Sequence, residues 1–328
     1  MRRALQSIML VLALTVASSS VLAQGASASD WPKRPIKVII PFPPGGAPDA
    51  LMRIIAQFVQ ADLGQPLVIE NRPGAGTTIG AQHVASAQPD GYTLLLALDS
   101  TMNLAPQTIK DVRYDPLKDF APITLLARNT GLLVTSGEGP ASKTYRELLA
   151  RGKAEPNKLT YGSPTVQGRL IMAFMAKKKG AHFVMVPFKG PPEVDQALLT
   201  KSIDFGSTAY ATSRDLIASG KFIPLAKYTT NPIPLYPDLP SLADEIPELG
   251  DLTNWLGLFA PAGTPPEIID RLNRVINTLY ADKDVQERLE KAGMFAYAGS
   301  AVELGGLVKS DIERWKRIIA EVGYVAGE

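Results

Sequence analysis

Asp49 closes a loop, Pro41-Phe42-Pro43-Pro44-Gly45-Gly46-Ala47-Pro48, whose residue types suit the capture of a small anion. The β-branched run Ile36–Ile40 precedes it, and Leu51, Ile54, Ile55, Phe58 and Val59 follow at helical spacing. A stiff loop between a strand and a helix presents backbone N–H groups where the helix dipole is positive, so it can hold an anion without a cationic side chain. Two readings stay open for this stretch: an anion cradle, or an ordinary β–α turn with Asp49 as the helix N-cap. Other chemistry is scarce. The chain has two histidines, His83 and His182, and no cysteine, which excludes a thiol nucleophile and a His- or Cys-rich metal site. None of the G-x-S-x-G, H-E-x-x-H, G-x-x-x-x-G-K-[ST] or G-x-G-x-x-G patterns occurs. Both histidines read as packing or surface residues, and no pair of carboxylates stands out.

Elements that must position such loops recur along the chain. Leu67–Glu70 reads as a strand, Asn71–Gly76 as a loop, Thr77–Ala87 as a small-residue helix, and Tyr92–Leu98 as a strand buried on both faces. This alternation predicts an α/β domain with a largely parallel sheet, whose ligands sit beyond the carboxyl ends of the strands. The Gly45-Gly46, Gly74-Ala75-Gly76 and Asp99-Ser100 loops all lie at such ends. A second series follows Arg128, with strands at 132–135, 159–164, 183–188, 203–208 and 222–229 and helices at 144–151 and 168–178. Thr264-Pro265-Pro266-Glu267 and Ser300-Ala301-Val302-Glu303 read as capping boxes opening two amphipathic helices. Trp315 falls on the apolar face of the second and reads as core.

Met1-Arg2-Arg3, the apolar run Ile8–Ala17 and the small residues before Ala23 form the pattern of a secretory signal peptide, residues 1–23. An exported product without cysteines has no disulfides and must rest on its hydrophobic core, which a chain of 328 residues can build as about two domains. A net charge of +2, with both signs interleaved, gives no polyanion signal, so no nucleic-acid partner is expected.

Several segments together resemble the Bug receptors, the extracytoplasmic solute receptors of tripartite tricarboxylate transporters. They are Trp31-Pro32 with Pro41–Asp49, then Glu70–Gly76, Pro89–Thr93, Val186–Gly190 and Trp255–Pro265, in order along essentially the whole mature chain. The resemblance implies an α/β, two-lobed periplasmic binding protein of the Venus-flytrap, type II-like form, each lobe a sheet flanked by helices. It implies capture of a small organic carboxylate and delivery to the integral membrane permease subunits of a tripartite transporter, without a cofactor. In such receptors a carboxyl group is gripped by backbone groups and ordered waters rather than by arginine, in agreement with the cradle reading of Gly45-Gly46.

Lobe 1 is expected at 31–128 plus 230–328 and lobe 2 at 129–229, with two crossover strands as the hinge and a monomeric state. Candidate ligand contacts are Phe42, Gly45, Gly46, Ala47, Asp49, Gly76, Thr77, Ser100, Ser163, Thr165, Gln167, Gly168, Arg169, Phe188 and Tyr210. The family loop Y-G-S-x-G-x-G-S is here Tyr161-Gly162-Ser163-Pro164-Thr165-Val166-Gln167-Gly168, without both loop glycines, and Phe188 stands where tyrosine is usual. Arg169, near a helix start, is either a solvated surface residue or the partner of a second carboxylate, with Phe42, Phe188 and Tyr210 as an apolar wall between the ends of an aliphatic or aromatic diacid. The competing functions are an exported hydrolase of esters or amides, which would turn substrate over, and a receptor feeding a sensor kinase.

Overall fold

The computed structural model describes residues 31–326 apart from 140–141, 164, 189, 234–235 and 292–293. The expected signal peptide, residues 1–23, lies outside the described residues. Strand β1 (Ile36–Ile40) is buried but for Lys37, as a β-branched run flanked by two neighbours requires. It pairs in parallel with β2 (Leu67–Asn71) and β3 (Thr93–Leu98). Between β1 and β2 runs α1 (Ala47–Leu63), with Pro48 in its first turn and Gly64 ending it at a left-handed φ of 75°. Leu51, Met52, Ile55 and Val59 face the sheet fully buried, each contributing about 1.5–3 kcal/mol.

The first sheet continues through β10 (Asn254–Pro261), β4 (Phe120–Asn129) and β11 (Phe295–Ala296), in the order β11-β4-β10-β3-β1-β2. The largely parallel sheet expected here is mixed, because β10 runs antiparallel to both β3 and β4. The chain reaches β10 only after returning from the second lobe, and it enters from the opposite end. The second sheet has the order β7-β6-β8-β5-β9, built from β5 (Gly131–Ser136), β6 (Thr160–Ser163), β7 (Val184–Pro187), β8 (Phe205–Ala209) and β9 (Phe222–Lys227). Only β5 is reversed within it.

Each sheet is sandwiched by helices, with two short ones, α3 (Ala105–Thr108) and α8 (Leu242–Glu245), in the connections. On one face of the first lie α1, α9 (Pro266–Leu279) and α10 (Lys283–Lys291); on the other lie α2 (Thr78–Ala85) and the first half of α11 (Ala301–Val322). The second sheet is covered on one face by α4 (Tyr145–Ala154) and α5 (Val166–Lys179), and on the other by α6 (Pro191–Leu199) and α7 (Tyr210–Ala218). Chain order assigns 230–328 to the first lobe, yet Leu242, Ile246, Leu249, Leu252, Trp315 and Ile318 pack into the core beside the second sheet. The apolar stripe of α11 runs over 22 residues, so Leu304 and Val308 bury in the first lobe's core and Trp315 and Ile318 in the second's. Lys178 ties its end to α5 through Glu321 at 2.7 Å.

Two caps differ from expectation. Helix α9 has Pro265 at its N-cap, and the Thr264 hydroxyl bonds the Pro261 carbonyl instead of capping. At α11 the Ser300 hydroxyl accepts from the Glu303 N–H at 3.0 Å, but the Glu303 carboxylate turns outward to Arg128 and Tyr297. A stronger partner wins the carboxylate, and half the box remains.

Candidate functional site

The carboxyl end of β3 and the start of α5, one from each sheet, face each other across a cavity of about 270 Å³. That is at the small end of the roughly 300–1,000 Å³ typical of ligand pockets, which suits a small metabolite. From the first sheet come Gly76, Leu98, Asp99, Ser100 and Asn254, with Leu104, Ala105, Thr108 and Ile109 from the helical segment after β3; from the second come Thr165, Val166 and Gln167. Among the described residues no lysine, arginine or histidine lines it.

The loop before α2 is bent by consecutive left-handed residues, Ala75 at φ 45°, Gly76 at 60° and Thr77 at 82°. At Gly76 both φ and space demand glycine, since a Cβ would lie 2.4 Å from Cδ1 of Ile109. Left-handed alanine and threonine are sparsely populated conformations, and such outliers gather at ligand clamps. The Thr77 hydroxyl is buried without a partner among the described residues. Opposite, Thr165 caps α5, its hydroxyl accepting from Gly168 N–H at 3.1 Å. The first-turn N–H groups of Val166 and Gln167 are left for a guest, at the positive end of a helix of 14 residues. Ser163 lies buried beneath, its hydroxyl accepting from the Thr165 N–H at 3.3 Å. The Asn254 side-chain oxygen is buried with no partner among the described residues.

A buried polar cluster underlies the first-sheet side. The Asp311 carboxylate of α11 accepts from Asn103 Nδ2 at 3.1 Å, from Trp255 Nε1 at 2.9 Å and from the Arg314 guanidinium. Burial raises its pKa against the pull of Arg314 and the Trp255 N–H. Asp99, also buried, has its carboxyl pushed up to about 7 by burial and by nearby Asp311.

Sequence-predicted residues thus divide. Gly76, Ser100, Thr165 and Gln167 line the cavity, with Thr77, Ser163 and Gly168 against it. Phe42, Gly45, Gly46, Ala47 and Asp49 form the β1–α1 loop and are not among its lining residues. Phe42 packs on the first lobe's core, while Phe188 and Tyr210 join the core under α6 and α7. The apolar surface of the cavity comes instead from Leu98, Leu104, Ala105, Ile109 and Val166. Arg169 is exposed and off the lining, because one residue past Gly168 the helix turns its side chain away from the first turn. His83 sits half-buried in α2 and His182 is exposed. Sequence reasoning missed Thr108, Ile109 and Asn254, which only tertiary folding brings here, and took from the Asp99-Ser100 loop the serine alone.

Asp49 is not the cap of α1. Gly46 holds that position, and the Asp49 carboxylate accepts from Gly45 N–H at 3.0 Å and bidentately from Arg53 at 2.9 and 3.0 Å. The Arg53 hydrogen bond holds its pKa below the ordinary value, against the opposing effect of burial. Asn71 steadies the same loop by donating to the Phe42 carbonyl at 3.1 Å. Asp49→Asn is therefore expected to cost about 1–2 kcal/mol in urea denaturation at neutral pH, since the fork to Arg53 is broken. A group with depressed folded pKa stabilises above its unfolded value of about 4 and loses that contribution as pH falls through the folded value. The gap between wild type and variant should close in acid; a gap constant from pH 7 into acid would refute the ion-pair account.

The chain is similar to known proteins over most of its length. Residues 51–324 match the model of the family described as "Tripartite tricarboxylate transporter family receptor". Protein BugT of Bordetella pertussis is 31% identical over 319 residues, covering 95% of this chain and 96% of that protein. Rpa4515 of R. palustris, solved with adipate, superposes with a TM-score of 0.74 at 27% identity, covering 90% of this chain and all (100%) of the other. MatC from Rhodopseudomonas palustris, solved with bound malate, gives 0.71 at 29% identity over 88% of this chain and 100% of that one.

Proposed function

Since this chain belongs to the tripartite tricarboxylate transporter receptor family, we propose that it captures a small organic carboxylate in the cavity between its two sheets and delivers it to membrane permease subunits. The observation that carries this reading is the facing pair of backbone-donor sites, the left-handed turn at 75–77 and the first turn of α5, in a cavity that no cationic side chain lines among the described residues. Backbone N–H groups at a helix start hold an anion without fixing a counter-ion, so release to a permease stays easy. The relatives solved with adipate and malate support a dicarboxylate. Export by residues 1–23, a periplasmic site of action and a monomeric state belong to the same proposal. No described helix is long and apolar enough to cross a membrane.

Two crossings join the sheets, at 129–131 between β4 and β5 and between β9 and β10. A ligand touching α5 and the β3 end at once favours the closed arrangement by its differential affinity for it. The expected results are a rise in melting temperature with malate or adipate and a decrease in the scattering radius of gyration at saturation. No product should form on incubation. Turnover of a carboxylic ester or amide would instead establish a hydrolase, and an unchanged scattering profile with bound ligand would remove the closure step.

A further inference from the structure

We propose that Asp99 selects the ligand through a shared proton: the captured carboxylate and the Asp99 carboxyl form one O–H···O pair, and binding takes up one proton from solvent. This deepens the carboxylate-receptor reading and rests on it.

Among the described residues Asp99 is the one acid that lines the cavity, 5% exposed, and no described cationic side chain lines it. Its carboxylate is supported by the Ser100 backbone N–H. The charged groups acting on it are Asp311 and Arg314, both from α11. Arg314 is bound to Asp311 and so is spent on its own partner. Arg128 of β4 and Asp251 act on Asp311 behind it. From α5 the cavity receives Thr165, Val166 and Gln167, all uncharged. A ligand carboxylate brought against Asp99 meets a like charge on a buried group, where two carboxylates in contact do not both stay ionised. One proton between them turns the repulsion into a short, charge-assisted hydrogen bond. Asp99 accepts that proton readily, its carboxyl being already pushed up to about 7.

The sign follows from linkage. Below about pH 7 the free protein already carries the proton and affinity is flat; above it the proton must be recruited, and affinity falls up to about tenfold per pH unit. A ligand offering its own hydroxyl or ammonium donor to Asp99 would behave in the opposite way, needing the carboxylate ionised.

Titration calorimetry of the purified protein with adipate, which has no hydroxyl or ammonium donor of its own, tests this, in phosphate and in Tris at matched pH, the difference in heat counting protons. Uptake near one proton per ligand is expected at about pH 8.5, with Kd raised about 25-fold over that at about pH 6.5. Asp99→Asn, checked for native circular dichroism, should reduce this dependence to within about twofold and bind more tightly than wild type at the higher pH. Binding by wild type without proton uptake overturns the proposal irrespective of the variant, and so does an Asp99→Asn variant weaker at every pH. Failure of adipate and of related carboxylates, malate among them, to bind overturns the carboxylate reading itself, and the shared proton with it.

Discussion

Asp311→Ala is expected to cost about 3–5 kcal/mol of folding free energy, because it strips the counter-charge from a buried guanidinium. The side chains of Asp311 and Arg314 are 6% and 16% exposed. The same carboxylate is the acceptor for the Trp255 indole N–H and the Asn103 amide, so one substitution orphans donors on β10 and in the turn after β3 as well as on α11. Asp311→Asn keeps an acceptor for Trp255 but not the charge, and about half that loss is expected. Urea denaturation with an unchanged m-value is the measurement. A double variant, Asp311→Leu with Arg314→Met, should recover much of the deficit, because removing both charges removes the desolvation penalty. If the alanine variant lost less than about 1 kcal/mol, the cluster would not be a structural tie between the lobes' shared helix and the cleft floor.

How far the sequence foretold this molecule depends on the range of the interaction. β1 and β3 were legible as apolar runs, and the alternation with loops at Gly46, Gly76 and Ser100 pointed to an α/β chain with those loops at strand ends. The direction of β10 was not legible, because it depends on where the chain re-enters the first sheet and no local pattern records that. Thr264 kept the spacing of a capping box while its hydroxyl found the nearer Pro261 carbonyl. In the cavity the sequence-predicted residues Gly76, Ser100, Thr165 and Gln167 lie at ends of local β–α units, whose position follows from the motif. Asn254, Thr108 and Ile109 arrive through long-range packing, and Asp99 read as part of a loop until Asp311, more than two hundred residues away in sequence, gave it an electrostatic setting. Asp49 is not the cap its spacing suggested: Gly46 holds that position, and the Asp49 carboxylate holds the β1–α1 loop in shape.

Gly168→Ala should leave stability nearly unchanged and weaken carboxylate binding by about one to two orders of magnitude. A Cβ at Gly168 would stand 2.0 Å from Ser163 Oγ, 2.7 Å from Ser163 Cβ and 2.8 Å from the Tyr161 hydroxyl. Rotation of Ser163 can clear its oxygen but not its Cβ, so the start of α5 must lift away from the end of β6. Such overpacking costs about 1–3 kcal/mol. Alanine in place of glycine inside a helix returns about 1 kcal/mol by propensity, and relaxation at the helix end absorbs part of the remainder. The shift itself is what matters for function: Val166 and Gln167 move with the first turn, and their backbone donors leave the side of the cavity opposite Gly76 and Ser100. Thermal denaturation without ligand and titration with malate or adipate separate the two effects. The second arm, Ser163→Gly with Gly168→Ala, opens the space again and should restore most of the affinity. If Gly168→Ala alone bound as tightly as wild type, the first turn of α5 would not be part of the ligand's grip.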